Sequence, residues 1–88
     1  MNISVIIPVH NAAETLVSLC AQTFLDWETI VVDDGSSDET ASAAARLAET
    51  DRRLRVLRRP HRGVSAALKA GLRAAHGDWM LFFARLGV

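Results

Sequence analysis

Cysteine occurs once in the 88 residues, at Cys20, which excludes an internal disulfide framework and a zinc site built from cysteines. A lone thiol fits a reducing, cytoplasmic setting. No apolar run approaches the ~20 residues that span a bilayer. Met1-Asn2-Ile3-Ser4 has no basic residue of the kind that opens a signal peptide, so no leader is expected. Net charge is missing too, because ten acids balance ten bases. Tandem repeats, low-complexity linkers and any mark of a domain boundary are absent, so residues 1–88 read as one small domain, below the usual size of roughly 100–150 residues. Apolar residues, by contrast, make up half of the chain, which supports a core and excludes intrinsic disorder. At this size only about 60–65% of the unfolded surface can be buried, so stability is expected to be marginal.

The zero net charge conceals a split. Residues 1–51 carry nine acids and one base, Arg46, whereas residues 52–88 carry nine bases and one acid, Asp78. The cluster Arg52, Arg53, Arg55, Arg58, Arg59 and Arg62 has the charge to meet phosphates or an acidic lipid surface, which leaves membrane association open. It lacks interleaved aromatics, which argues against nucleic acid, and a solvated sheet edge is the simpler reading.

Strand and helix patterns alternate. Ile3–Ile7 is a β-branched run that Pro8 is expected to stop. Asn11 and Glu14 have capping-box spacing ahead of a helix whose apolar stripe is Leu16, Leu19 and Cys20. Thr29–Val32 reads as a second buried strand, ending in Asp33-Asp34-Gly35. Ser36 and Glu39 form another capping-box pair before a helix over about 38–50, where the alanine-rich segment 41–48 favours helix. Leu54–Arg58 reads as an edge strand. Residues 63–76 read as a third helix ended by Gly77, followed by a strand over 79–83. Four apolar strands alternating with helices predict an α/β fold: a three-layer βαβαβαβ half of a doubly wound parallel sheet, Rossmann-like. Ligands in such folds sit at the carboxyl ends of the strands, which selects Pro8–Asn11, Asp33–Ser37 and whatever follows Phe83.

At the first place, Pro8, Val9, His10 and Asn11 lead into a helix N-terminus; His10 can stack on a base and free amides can face an anion, or the segment is only a capped turn. At the second, alternation along a strand forbids Asp33 and Asp34 from pointing the same way. One can face the crevice and accept hydrogen bonds from a base or ribose, while the other holds the loop; a purely structural turn is the competing reading. No third ligand stands nearby to make the pair a metal site. No P-loop or dinucleotide fingerprint is present. Lys69 is the helix cation that could reach a diphosphate, against the reading of an ordinary solvated lysine. His61 and His76 have no sequence neighbour that suggests catalysis.

These pieces together resemble family-2 glycosyltransferases. The resemblance rests on Ile3–Asn11, then Gln22-Thr23-Phe24, then Glu28–Thr40 with its core Val31-Val32-Asp33-Asp34-Gly35-Ser36-Ser37, then Ala66–Trp79, in order and at fitting spacing. It covers nearly the whole chain and is nearest to the branch of dolichyl-phosphate mannose synthases and polyprenyl-phosphate sugar transferases. It implies a GT-A fold whose N-terminal half binds a nucleotide-diphospho-sugar, a UDP- or GDP-sugar, with Mg²⁺ or Mn²⁺. By motif position Pro8, His10 and Asp34 would surround base and ribose, with His10 standing where the family usually has tyrosine.

The chain departs from that pattern in three places. The first helix is about four residues shorter, roughly one turn, which preserves the phase of its apolar face. Leu68-Lys69 replaces the Arg-Asn of many members. The metal-binding Asp-x-Asp that follows the fourth strand is replaced by Ala84-Arg85-Leu86-Gly87-Val88, whose side chains offer a divalent ion no oxygen. Arg85 is the remaining group that could offset diphosphate charge. The resemblance thus implies a donor-binding part cut at the metal motif, without acceptor half or catalytic base, and inactive alone. Codons for Ala-Arg-Leu can read Leu-Asp-Ser one base later, so a frameshift or truncation is the expected origin of this ending. Two other classes compete: a non-enzymatic nucleotide-binding or partner-docking module that self-associates through its fourth strand, and an electrostatic binder using the arginine cluster.

Overall fold

The computed structural model describes residues 2–23, 27–82 and 86–87. The elements follow as β1 (Ile3–His10), α1 (Ala13–Thr23), β2 (Glu28–Asp34), α2 (Thr40–Thr50), β3 (Leu54–Arg59), α3 (Val64–Ala74), β4 (Trp79–Phe82) and β5 (Leu86–Gly87). The strands form one parallel sheet in the order β3-β2-β1-β4, with β5 beside β1. Alternate side chains of the strands face opposite layers. Val5, Ile7 and Val9 of β1 and Val31 of β2 pack with Leu16 of α1 and Ala44 of α2, while Ile6, Ile30 and Val32 pack with Ala67 of α3. Two helices thus cover one face and one covers the other, the three-layer half of a doubly wound sheet that the sequence predicts. Leu19, Cys20 and the segment Gln22-Thr23-Phe24 lie outside the described side chains.

The strand order places the switch of chain direction between β1 and β4. Val9 pairs with Asp33 on one side and Leu86 on the other, so β5 returns to the carboxyl end of β1. Phe83, Ala84, Arg85 and Val88 lie outside the described residues.

Pro8 does not stop β1. Peptide groups of a parallel strand alternate between its two neighbours, and Asn2, even-numbered like Pro8, accepts from the N–H groups of Asp78 and Trp79 on the β4 side. The N–H that proline lacks would have pointed that way, beyond the last β1–β4 pair, Ile6 with Phe82. Pro8 therefore pairs with Val32 of β2 at no loss to that ladder.

Neither expected capping box forms. Asn11 and Ser36 bond across loops instead, and α2 has Glu39 at its N-cap without a side-chain cap. The third helix is shorter than expected and ends before Gly77. A Cβ on Gly77 would sit 2.7 Å from the backbone nitrogen of Ser4, so this glycine serves close approach to β1 rather than helix termination.

The arginine cluster divides. Arg52, Arg53 and Arg55 lie toward the amino end of β3 and Arg58, Arg59 and Arg62 toward its carboxyl end, with about 10 Å of strand between Arg55 and Arg58. Arg55 is paired with Glu28 and Arg58 lies beside Asp33, so two of the six face a carboxylate of β2. The edges of the sheet are β3, as expected, and β4, where Trp79, Leu81 and Phe82 are 64%, 42% and 48% exposed.

Candidate functional site

The turn from β1 to α1 is set by Asn11, whose φ of 51° is a left-handed conformation that asparagine tolerates better than most residues. Its N–H donates to Ser36 Oγ (2.9 Å), and its Oδ1 accepts from the Ser37 N–H (2.9 Å). Ala12 N–H donates to Thr40 Oγ1 (2.9 Å). The polar groups that the sequence suggests as helix caps thus stitch the loop after β1 to the loop after β2.

Asp33 and Asp34 part as strand alternation requires, and both side chains are fully buried. Asp33 Oδ1 accepts from the backbone N–H and the hydroxyl of Ser36, which folds the loop over the layer of α1 and α2. Among the described residues its Oδ2 has no hydrogen-bond partner, lying 3.8 Å from Arg58 Nε, and the buried Arg59 Nε likewise has none. Asp34 turns toward α3. Its Oδ1 accepts from the Arg62 N–H (2.9 Å) and its Oδ2 from the Gly63 N–H (3.0 Å), the donors at the start of that helix. Burial by itself would raise the pKa of Asp34. The N–H groups of Arg62 and Gly63, together with the imidazoles of His61 and His10, outweigh it and hold the carboxyl below its ordinary value.

His61 Nδ1 lies 3.0 Å from the carbonyl oxygen of Asp34 and 3.1 Å from its Oδ2. Both partners are acceptors, which assigns the proton to Nδ1. Gly35 lies beneath it: φ is +74°, and a Cβ there would fall 2.5 Å from the His61 backbone nitrogen. The His61 ring packs against that of His10, with centroids 4.4 Å apart and planes inclined by 32°.

Of the residues that the sequence selects, His10, Asn11, Asp33 and Asp34 converge at the carboxyl ends of β1 and β2. Pro8 is buried within β1. Val9 is 0% exposed in the core under α1 and α2, so only its backbone borders the site. Lys69 is exposed on α3, about 7–8 Å along the helix from its first residue, and no contact draws it to these loops. His61 was not legible as a site residue. The carboxyl end of β3 obeys the same rule as those of β1 and β2, and that rule points to the loop Pro60–Gly63.

The donor set does not fit a divalent metal. Asp33 and Asp34 face opposite layers, the oxygens of Asp34 are engaged, and Leu86-Gly87, which returns beside Val9 and His10, brings no side-chain oxygen. Among the described residues no group of three or more histidine, cysteine or carboxylate side chains is arranged to hold a metal ion. A cleft of about 660 Å³ lies at the opposite end of the sheet, lined by Trp27, Glu28, Arg52, Arg53, Arg55 and His76 among others. Arg55 and His76 are there paired with Glu28, at 2.8 and 3.2 Å.

The family model described as glycosyl transferase family 2 matches residues 4–84. The chain belongs to this glycosyltransferase family. It is 36% identical over 84 residues to the uncharacterized glycosyltransferase EpsJ of Bacillus subtilis, covering 91% of this chain and 24% of that protein. It is 37% identical over 86 residues to the undecaprenyl-phosphate 4-deoxy-4-formamido-L-arabinose transferase of Pectobacterium carotovorum, covering 88% and 26%. Among solved structures it resembles a mannosyltransferase from Pyrobaculum calidifontis in complex with GDP-Man and Mn²⁺, with a TM-score of 0.73 and 35% identity over 90% of this chain and 26% of that one. The family-2 fold is therefore shared, and the chain spans about a quarter of the length of these glycosyltransferases.

Proposed function

We propose that residues 1–88 form one donor-nucleotide unit of a family-2 glycosyltransferase, of the kind that serves polyprenyl-phosphate acceptors, and take a UDP- or GDP-sugar at the carboxyl ends of β1 and β2. The observation that carries this reading is the convergence of His10, Asn11 and Asp34, from two strands stitched loop to loop, beside the switch point of the sheet. The names of the Pectobacterium and Pyrobaculum relatives support the acceptor and donor classes. In a complete enzyme an acceptor oxygen attacks the anomeric carbon, the bond to the nucleoside diphosphate breaks, and a base takes the acceptor's proton. Among the described residues at the carboxyl ends of β1 and β2 no metal donor set is gathered, both oxygens of Asp34 are engaged and the unpaired oxygen of Asp33 is buried. The 88-residue polypeptide alone is therefore expected to turn over no donor. A cytoplasmic setting beside a membrane belongs to the same proposal; no helix among the described residues is long and apolar enough to cross one.

Calorimetry with GDP, UDP and their sugars tests the reading. Saturable binding that is indifferent to Mn²⁺ is expected, and absence of binding sinks the donor assignment. Binding that tightens strongly with Mn²⁺ contradicts the account of the donor set. The apolar edge at Trp79, Leu81 and Phe82 favours a second reading, a nucleotide-binding module that self-associates through β4. Light scattering after size exclusion distinguishes a defined dimer from a monomer.

A further inference from the structure

We infer that the ring on which the nucleobase stacks is His61, with His10 as its backing; the inference rests on the donor-nucleotide reading above and names a contact within it. The two imidazole centroids are 4.4 Å apart, which leaves no room for a base between them. One face of His10 is therefore covered by His61. His61 is the outer ring of the pair, its side chain 53% exposed whereas His10 is half-buried.

His61 is also the better-fixed ring. The Nδ1–H is held by the carbonyl and carboxylate oxygens of Asp34, which sets the plane of the imidazole and leaves Nε2 as the acceptor of the neutral form. Its backbone rests on Gly35, and the next two N–H groups, those of Arg62 and Gly63, are bound by the same carboxylate. Three separate constraints thus present one flat ring at the mouth of the crevice. The ligand class that matches is a nucleoside diphosphate whose base lies flat on His61, with Nε2 at the ring edge left to accept from a ribose hydroxyl.

Titration of the 88-residue chain with GDP and UDP, followed by calorimetry, tests the assignment. His61→Ala is expected to weaken binding about 5- to 100-fold, the range of one base–aromatic stack. His61→Phe, which keeps a flat ring, should bind within about threefold of the unsubstituted protein, while His61→Asn, which keeps a polar group but no ring, should stay weak. His10→Ala should cost less than His61→Ala. Unchanged or tighter binding by His61→Ala overturns the assignment, the latter because it would make His61 a plug that must leave. A larger loss in His10→Ala overturns it as well. If His61→Ala does not fold, the Phe and Asn variants decide alone, and equal affinity of the two rejects stacking. Failure of the unsubstituted chain to bind either nucleotide removes the donor reading itself and this inference with it.

Discussion

Both carboxylate oxygens of Asp34 are engaged inside the fold, so its value to the molecule can be separated from any value to a ligand. Asp34→Asn replaces one acceptor by a donor and sets it against the N–H of Arg62 or of Gly63. A buried N–H left without an acceptor costs about 1–3 kcal/mol, and the urea midpoint should fall accordingly. Asn11 offers a second test. With φ at 51°, alanine would be strained by roughly 1–2 kcal/mol and would lose the bond to Ser37, whereas glycine would lose only the bond. Asn11→Ala should therefore destabilise more than Asn11→Gly, and the reverse order in urea melts would contradict the left-handed turn. At this scale the sequence was half legible. Alternation alone separates Asp33 from Asp34, and Ser36 is near enough in the chain to suggest a loop around Asp33. Nothing local announces that Asp34 binds N–H groups 28 and 29 residues away, or that His61 meets His10.

Elements were more legible than their ends. Continuous apolar runs identify β1 and β2 because both faces of those strands are covered, and the 3.6-residue spacing of Ala67 and Gly71 identifies the buried side of α3. Capping pairs misled because Asn11 and Ser36 sit where two loops meet, and a hydroxyl or amide takes whichever backbone donor the tertiary fold brings closest. Gly71 shows how local preference and packing compete. In a helix interior alanine is favoured over glycine by about 1 kcal/mol. A Cβ at Gly71, however, would fall 2.4 Å from Ile6 Cγ2 and 3.3 Å from Val32 Cγ2, both on fully buried side chains. Overpacking costs about 1–3 kcal/mol. Gly71→Ala is therefore expected to lower the midpoint of unfolding, and a rise would mean that α3 does not lie this close to the sheet.

Across the whole molecule, α3 is held at both ends by β2. Asp34, the last residue of the strand, binds the N–H groups that open the helix. Glu28, the first, accepts from the His76 N–H (2.9 Å) in the segment that leaves it and from the hydroxyl of Ser4 in β1, with Arg55 Nη1 bridging from Glu28 to the Ala74 carbonyl (3.0 Å). A seven-residue strand of about 20 Å and an eleven-residue helix of about 16 Å match in length, so one strand's two terminal carboxylates clasp one crossover helix. Burial acts to raise the pKa of both groups. It is outweighed at Glu28 by the Ser4 hydroxyl, the His76 N–H and the charges of His76 and Arg55, and at Asp34 by the groups named above, so both carboxyls lie below their ordinary values of 4.5 and 3.8. A carboxylate whose pKa is depressed by folding contributes stability that is fully present above the unfolded value and is lost as pH falls through the folded one. Urea midpoints should therefore change little from these groups between pH 7 and 5 and decline below about 4.5. Glu28→Gln should flatten the upper part of that decline. Hydrogen exchange measured near pH 4 and near pH 6 separates this clasp from general acid unfolding. Amides of α3 should lose protection before those of β1 and β2 as the pH is lowered, and simultaneous loss in all three would show that the carboxylates do not act through the helix.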